Sequence, residues 1–273
     1  LPQEAIIHDF DQDGDQDVII SYYSFNGVGE ASVYLFENLL NENGLSFSNA
    51  VEIGNNWKEP RALLAADLDS DYDLDLVVAD FALNQVRWML NDGNAHFSDG
   101  GEVMNQDDGL VAPRSLESMD LNQVRHSLSP NPYQKPDLVI GALGKIFIAE
   151  NNGQGVFTVR SILDDASDSH IKSVHAIKLD DDNLTDIVYL EGGKRNVFYS
   201  LGHGGFSSAE PIISPKLNLS ISVPTSIEVY NYLNSEDKFQ SLVLVGAAPA
   251  NSSRPKVYQF GPASRTDENS GWE

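Results

Sequence analysis

The 273-residue sequence lacks cysteine and has few basic residues. Without cysteine there are no disulfides, no zinc–thiolate sites and no cysteine nucleophile. Lysine and arginine number 17 against 41 aspartate and glutamate residues, which gives a formal net charge of −24. A chain this acidic repels phosphate backbones, so we predict no nucleic-acid partner.

Long apolar runs are also missing. The longest, such as Leu138–Ala142 and Leu242–Ala248, fall far short of the ~20 residues that a membrane-spanning helix needs, so we predict no membrane span. The chain opens at Leu1 without a basic segment ahead of an apolar one, and we expect a mature or trimmed form. Hydrophobic residues still make up 41% of the chain, which is enough for a packed core.

The sequence aligns with itself five times. Each copy starts with a short apolar-leaning segment and passes through an acidic or polar loop into a strand-like run such as Val18–Ser21 or Leu76–Ala79. In phase with Pro60, the repeats span residues 2–59, 60–112, 113–170, 171–223 and 224–273. Together they cover almost the whole chain, which predicts a single domain over residues 1–273, built from one repeated unit.

The local patterns within each repeat are typical of β-strands. β-branched and aromatic residues form short runs separated by Gly and Asn, and no window with helical periodicity reaches the usual helix length. About four antiparallel strands per repeat predict an all-β β-propeller with five four-stranded blades; a larger ring is the alternative. The fifth repeat is the weakest, since its fourth strand would have to come from the polar segment Ser264–Glu273.

Two of the loops are rich in aspartate. The first carries Asp9, Asp11, Asp13, Asp15 and Asp17, and the second carries Asp67, Asp69, Asp71, Asp73 and Asp75. So many like charges within nine residues repel one another unless a hard divalent cation lies among them. Flexible, oxygen-only ligation favours calcium over magnesium. We therefore predict two calcium sites, the second weakened slightly by Tyr72 where the first has the turn residue Gly14.

The other loops depart from this pattern. An EF-hand does not fit the first two, because position 12 is Ile20 or Val78 instead of glutamate and strands flank the loops. A solvated, aspartate-rich turn without metal is the alternative. The fourth repeat places Asp180, Asp182 and Asp186 at positions 3, 5 and 9 but Lys178 at position 1, which predicts a weaker third site. The third and fifth repeats have lost most of the carboxylates.

The Asp-x-Asp-x-Asp-Gly-x-x-Asp loop, followed by an apolar strand and an Asn/Gly turn before Phe, resembles the FG-GAP/VCBS repeats. These repeats are related to the blades of the integrin α-subunit head. The resemblance is specific in repeats 1 and 2, partial in repeat 4 and degenerate in repeats 3 and 5. It implies a calcium-bound β-propeller, usually extracellular, with roles in cell adhesion or in carbohydrate or protein binding.

One position in each repeat suggests a ligand site at the opposite end of the innermost strand. The residues there are Gln3, Arg61, Arg114, Lys172 and Thr225. Two interpretations are open. The three cations accept an anionic group such as a uronate, a sulfate or a partner's carboxylate, or each pairs with a carboxylate of a neighbouring blade. Trp57, in a connector on the same face, is a further candidate for stacking on a sugar.

Signs of catalysis are few. Gly-x-Ser-x-Gly, His-Glu-x-x-His and phosphate-loop motifs are absent from the sequence. Glu117, His175, Glu228 and Tyr230 on the innermost strands could approach one another as acid and base. With 41 acidic residues, however, a carboxylate near a histidine is expected by chance.

The sequence thus predicts a non-catalytic, calcium-stabilised β-propeller that binds a glycan or a protein. The expected setting is secreted, periplasmic or at the cell surface. Two alternatives stay open: a polysaccharide lyase or hydrolase with its active site in the axial pocket, and a structural module of a larger secreted protein.

Overall fold

A computed structural model describes residues 1–23, 31–39, 46–119, 135–164, 169–177 and 185–192. It also describes the backbone of strands at 197–200, 210–211, 224–233, 239–247 and 256–260. These strands form five antiparallel sheets that follow one another in chain order.

The first three sheets have four strands each. Sheet 1 consists of β1 (Pro2–His8), β2 (Asp17–Tyr22), β3 (Ser32–Phe36) and β4 (Val51–Glu52). Sheet 2 consists of β5 (Pro60–Ala66), β6 (Asp75–Asp80), β7 (Gln85–Asn91) and β8 (Phe97–Met104). Sheet 3 consists of β9 (Ser115–Met119), β10 (Asp137–Gly141), β11 (Lys145–Asn151) and β12 (Phe157–Asp164).

The last two sheets continue the pattern. Sheet 4 consists of β13 (Ile171–Ile177), β14 (Asp186–Glu191), β15 (Val197–Ser200) and β16 (Glu210–Pro211). Sheet 5 consists of β17 (Pro224–Leu233), β18 (Phe239–Ala247) and β19 (Lys256–Phe260). The helical structure in the described residues is one 3₁₀ turn, Gln106–Asp108, capped by the Asn105 side chain. None of the helices among those residues is long and apolar enough to cross a membrane.

The second strand of each sheet is covered on both faces. Every residue of β6, β10 and β14 is buried. Near-continuous apolar runs, such as Leu76–Ala79, are what such a strand requires, because either face meets a neighbouring sheet. The alternation that marks a half-exposed strand is correspondingly weak there.

The hydrophobic core is divided among the spaces between successive sheets. Phe10, Leu35 and Trp57 of the first repeat pack with residues of sheet 2 such as Leu76 and Met89. Two further clusters join sheet 2 to sheet 3 and sheet 3 to sheet 4 in the same way. The first strands β1, β5, β9, β13 and β17 are neighbours in that order. Each sheet therefore depends on the next to bury its apolar faces.

Hydrogen bonds repeat between adjacent sheets. The amide Nδ2 of Asn91 donates to the carbonyl of Phe10 at 2.8 Å, and Nδ2 of Asn151 donates to the carbonyl of Leu68 at 2.8 Å. Both asparagines belong to Asn/Gly turns, and both carbonyls belong to the aspartate loop of the preceding repeat. The Asn/Gly turn thus ties each sheet to the previous loop.

The predicted all-β class is confirmed, and the described strands follow the predicted repeat phase. The first strands begin at Pro2, Pro60, Ser115, Ile171 and Pro224, at or within two residues of the predicted repeat starts. Four sheets have four strands as expected, whereas sheet 5 has three described strands. The segment Ser264–Glu273, expected to supply its fourth strand, lies outside the described residues.

Candidate functional site

The two complete aspartate loops follow β1 and β5 and share one backbone conformation. The amide of Gly14 donates to Asp9 Oδ2 at 3.0 Å, and the amide of Tyr72 donates to Asp67 Oδ2 at 3.1 Å. Gly14 has φ +96° and Tyr72 has φ +77°. Tyr72 therefore adopts the left-handed turn that glycine provides in the first loop, with its ring exposed.

Carboxylates converge inside both loops. Oxygens of Asp9, Asp11 and Asp17 lie within 4.8 Å of one another, as do oxygens of Asp67, Asp69 and Asp71. Burial, followed by the neighbouring carboxylates, raises the pKa of Asp11 and of Asp69. The clusters thus carry negative charge that the protein itself does not compensate.

One carboxylate oxygen in each cluster is buried and has no hydrogen-bond partner. These atoms are Asp9 Oδ1 and Asp69 Oδ1. A buried oxygen without a donor is costly unless something else satisfies it. Three convergent carboxylates with a free buried oxygen match the ligand set of calcium, which takes six to eight oxygens in flexible geometry. The residues present therefore fit the ion that the sequence predicts.

The last aspartate of each loop has a structural role that the sequence analysis missed. Asp17 accepts hydrogen bonds from the amides of Phe10 at 3.0 Å and Asn38 at 2.8 Å. Asp75 likewise accepts from Leu68 at 3.0 Å and Asn91 at 2.9 Å. Both side chains are fully buried, and burial raises the pKa of Asp75 to about 7. This position therefore fixes the loop to the end of the third strand.

The same buried aspartate recurs in the other repeats. Asp137 begins β10 and accepts from the amide of Asn151 at 2.8 Å, and Asp186 begins β14. Both are fully buried. The repetition at the start of the second strand explains why this carboxylate persists in the third repeat, where the rest of the loop is lost. Asp180 and Asp182, predicted for the weaker third metal site, lie outside the described residues.

The remaining predicted ligands lie outside the two three-carboxylate clusters. Asp13 Oδ1 accepts from the amide of Asp15 at 3.0 Å, and Asp71 Oδ1 accepts from the amide of Asp73 at 3.0 Å. Asp73 also accepts from the side chain of Gln12, so the first loop contacts the second directly. Position 7 in both loops is available through its main chain, as the sequence analysis proposed for a calcium ligand.

A pocket of about 400 Å³ lies at the other end of the first strands. Its lining comes from the beginning of the first four repeats: Gln3, Glu4, Arg61, Ala62, Arg114, Ser115, Leu116, Glu117, Lys172, Ser173, Val174 and His175. The aspartate loops follow the far ends of β1 and β5. Seven-residue strands such as these span about 20 Å, so the pocket and the loops lie on opposite faces. We call this the axial pocket.

A repeated β-bulge shapes the rim of the axial pocket. The register between first and second strands shifts between Pro2 and Glu4, between Pro60 and Ala62, and between Ile171 and Ser173. The extra residues are Gln3, Arg61 and Lys172. A bulge redirects a side chain without ending the strand. Together with Arg114, these residues line the pocket, so the predicted cations do come together.

Arg61 has local partners. Its Nε donates to Glu59 Oε1 at 2.7 Å, and Nη2 donates to the same oxygen. Its guanidinium carbon lies 3.9 Å from the centroid of the Phe81 ring and 6.0 Å from that of Tyr23. The pairing alternative therefore holds for Arg61, with a carboxylate of its own repeat two residues earlier instead of one from a neighbouring blade.

Arg114 and Lys172 have no side-chain hydrogen bond or ion pair within the part of the chain that the structure describes. Burial, followed by repulsion from Arg61, lowers the pKa of Arg114. Burial, Arg114 and Arg61 together lower the pKa of His170, whose Nδ1 atom is buried without a partner. The rim therefore carries positive charge that nearby carboxylates do not fully neutralise.

Three polar side chains on the wall of the axial pocket form a chain of contacts. Ser173 Oγ lies 2.9 Å from His175 Nε2, and His175 Nδ1 lies 3.4 Å from Glu117 Oε2. The sequence analysis singled out Glu117 and His175 but not Ser173. The signal was available, because residues two apart on one strand face the same side.

Trp57 does not belong to the pocket, and its prediction as a sugar-stacking platform is wrong. The side chain is 4% exposed, and its Nε1 donates to the carbonyl of Ile53 at 2.9 Å. The indole packs against Gly54, where an added Cβ would lie 3.0 Å from Cζ2. The connector folds its aromatic residue inward to cover the end of the core between sheets 1 and 2.

Comparison with known proteins supports the repeat assignment. Residues 9–78 match the family model described as FG-GAP-like repeat. The predicted resemblance is confirmed for this segment, which contains both complete aspartate loops. No curated protein matches the sequence.

A solved structure of a lectin from Agrocybe aegerita has a similar fold. Its title describes the specific recognition of non-reducing terminal N-acetylglucosamine. The TM-score is 0.55 at 18% sequence identity, and the match covers 95% of this chain but 66% of the lectin chain. At this identity the likeness concerns the fold alone.

Proposed function

We propose that this protein is a non-catalytic, calcium-stabilised β-propeller that recognises a glycan outside the cytoplasm. The observation that carries the proposal is the axial pocket: a polar cavity of about 400 Å³ to which four successive repeats contribute. Ligand pockets for small molecules commonly have volumes of about 300–1,000 Å³. Amide, hydroxyl, imidazole and carboxylate groups on its wall match the donors and acceptors of a sugar.

Calcium has a structural role in this proposal. Asp9, Asp11 and Asp17 would hold one ion, and Asp67, Asp69 and Asp71 a second. Bound ions would neutralise the clusters and fix the loops to which the next sheet is hydrogen-bonded through Asn91 and Asn151. Oxygen-ligand sites in extracellular modules bind calcium at about 10⁻⁴–10⁻³ M, which requires a calcium-rich setting and supports an extracellular location.

Radial closure of the sheets is part of the proposal. Consecutive first strands are neighbours, the pocket gathers their starts, and a lectin of similar fold covers a longer chain. These features support a propeller whose axis runs through the pocket. Small-angle scattering of the calcium-loaded protein should give the profile of a closed disc; an elongated profile would contradict closure.

Blocking the pocket tests the glycan proposal. We expect the calcium-loaded protein to bind oligosaccharides on a glycan array and Gln3→Trp to abolish that binding, because Gln3 is exposed on the pocket rim. The matched control is Gln154→Trp, since Gln154 is equally exposed but lies in the Asn/Gly turn before β12. Failure of the protein to bind any glycan, or equal losses in both variants, would overturn the proposal.

A second candidate function is ester hydrolysis, favoured by the contacts among Ser173, His175 and Glu117. In that reaction Ser173 Oγ would attack an ester carbonyl while His175 Nε2 takes its proton and passes it to the leaving alcohol. Water would then release the acid and restore the serine. Turnover of acetylated oligosaccharides that disappears in Ser173→Ala would support hydrolysis. Binding without released product would favour the first function.

A further inference from the structure

The position of each cation on the axial pocket is set by the backbone. The bulges in β1, β5 and β13 turn residues 3, 61 and 172 toward the axis, and Arg114 occupies the same phase in the third repeat. The amide of Arg114 donates to the carbonyl of Gly141 at 2.8 Å, which fixes the main chain there. The rim is therefore a built arrangement of side chains from four repeats.

The rim has cations left over after its internal pairs are counted. Arg61 is held by Glu59. Neither Arg114 nor Lys172 has an ion-pair partner among the described residues. In a chain with 41 acidic and 17 basic residues, two adjacent unpaired cations in one cavity are unexpected.

The carboxylates that line the axial pocket are engaged elsewhere. Glu4 Oε2 accepts from the amide of Leu63 at 2.7 Å, and burial raises the pKa of Glu4. Glu117 Oε2 lies 3.4 Å from His175 Nδ1. These contacts leave the side of the pocket around Arg114 and Lys172 suited to an anionic ligand atom.

We propose that the axial pocket binds an anionic oxygen group on a glycan, a uronate carboxylate or a sulfate ester, through Arg114 and Lys172. The inference rests on the proposed glycan-binding function and adds the charge class of the ligand. Arg114 provides a planar fork of donors that matches either group, and Lys172 adds a point charge from the next repeat. Arg61, fixed by Glu59 and stacked on Phe81, forms a rigid edge beside them.

The size of the site favours a glycan over an acidic protein. A cavity of about 400 Å³ accommodates a small number of sugar rings, whereas specific protein partners usually bury about 1,600 Å² in total. The groups next to the cations are Ser173, His175 and Gln3, which can donate and accept hydrogen bonds with hydroxyls. A charged sugar would therefore meet both of its needs, charge neutralisation and hydroxyl recognition, within one pocket.

Calorimetric titration of the calcium-loaded protein with three matched oligosaccharides tests the inference. The probes are an oligogalacturonate, a sulfated galactan oligosaccharide and an unsubstituted galactan of the same length. We expect at least one anionic probe to bind about tenfold or more tightly than the neutral one, with affinity that falls as salt rises. The tighter of the two anionic probes identifies the source of the charge.

Two arginine variants separate a specific site from general charge effects. Arg114→Ala should weaken binding of the preferred anionic probe by about 10-fold to 100-fold, since a charge-assisted contact is lost. The control is Arg160→Ala, which removes the same charge from a half-exposed arginine paired with Glu150 at 3.0 Å. It should change affinity less than about twofold. Lys172→Ala should weaken binding less than Arg114→Ala.

The outcomes distinguish this inference from the proposed function. Equal affinity for neutral and anionic probes, or equal effects of Arg114→Ala and Arg160→Ala, would overturn the anion site while leaving glycan recognition intact. Absence of binding to every oligosaccharide would overturn both. Binding of an acidic protein in place of all three sugars, lost in Arg114→Ala, would also overturn the assignment to a glycan.

Discussion

The two ends of the first strands have opposite charge and opposite relations to the chain. At one end, carboxylates of Asp9, Asp11 and Asp17 crowd together and also hold the next segment of backbone. At the other, Arg114 and Lys172 line a pocket and have no described ion-pair partner. The acidic end is embedded in the hydrogen bonding of the fold, whereas the basic end is added to it. Stability should therefore respond to changes at the first end, and ligand binding to changes at the second.

Removal of calcium should have the largest effect on this comparison. With a dissociation constant of about 10⁻⁴ M and about 10 mM calcium, each site adds about 2.7 kcal/mol to the free energy of unfolding. Two sites correspond to a fall of about 10–20 °C in Tm when EDTA is added, measured by calorimetry. Arg114→Ala should leave Tm nearly unchanged in either condition. A melt that is insensitive to EDTA would contradict the acidic end's role.

Two aspartates of the first loop should separate the metal from the scaffold. Asp17→Ala leaves the amides of Phe10 and Asn38 without acceptors, so it should cost about 2–5 kcal/mol of unfolding free energy both in calcium and in EDTA. Asp11→Ala should cost about 2–3 kcal/mol in calcium and almost nothing in EDTA, since it also removes like-charge repulsion. Equal behaviour of the two variants in denaturant titrations would refute the distinction.

Backbone strain should make the second loop improvable where the first is not. Tyr72→Gly should raise the unfolding free energy by about 1 kcal/mol, because Tyr72 has φ +77° and an exposed ring. Gly14→Ala should lower it by about 1 kcal/mol through strain alone, since no atom lies within 4 Å of the added Cβ. Urea unfolding in saturating calcium measures both changes, and changes of the same sign would exclude strain as the cause.

The smallest effect concerns Glu4 at the basic end. Burial raises the pKa of Glu4, so its charged form is disfavoured in the folded state and stability falls as pH rises through the folded pKa. Glu4→Gln keeps an acceptor for the Leu63 amide and cannot ionise. It should stabilise the protein by less than about 1 kcal/mol at pH 7 and have no effect below the unfolded pKa of glutamate. Parallel pH–stability curves for the two proteins would contradict this.

The repeat phase carried most of what could be predicted. It placed the strand starts, the all-β class and the convergence of Arg61, Arg114 and Lys172, because residues at equivalent positions of stacked sheets occupy equivalent places. It also predicted the two aspartate loops. The burial of Asp17 and Asp75 was less accessible, since a buried acceptor and a metal ligand have the same side chain.

Features outside the repeat phase were not predictable. Trp57 lies in a connector, where sequence alone does not reveal that the chain folds inward against Ile53 and Gly54. The pairing of Arg61 with Glu59 depends on the local turn before β5, and its stacking on Phe81 brings in a residue from the end of β6. Such contacts are decided by loop conformation, which varies among repeats even when the strands do not.

The bulge at the start of the first strands has a consequence for evolution. It gives each repeat one side chain that reaches the axis while its backbone hydrogen bonds stay satisfied by the neighbouring strand. Exchanges at residues 3, 61 and 172 can therefore alter the chemistry of the cavity with little disturbance to the core or to the aspartate loops. Selection acts there on a small set of interchangeable positions, so ligand preference can diverge among related chains while the architecture is conserved.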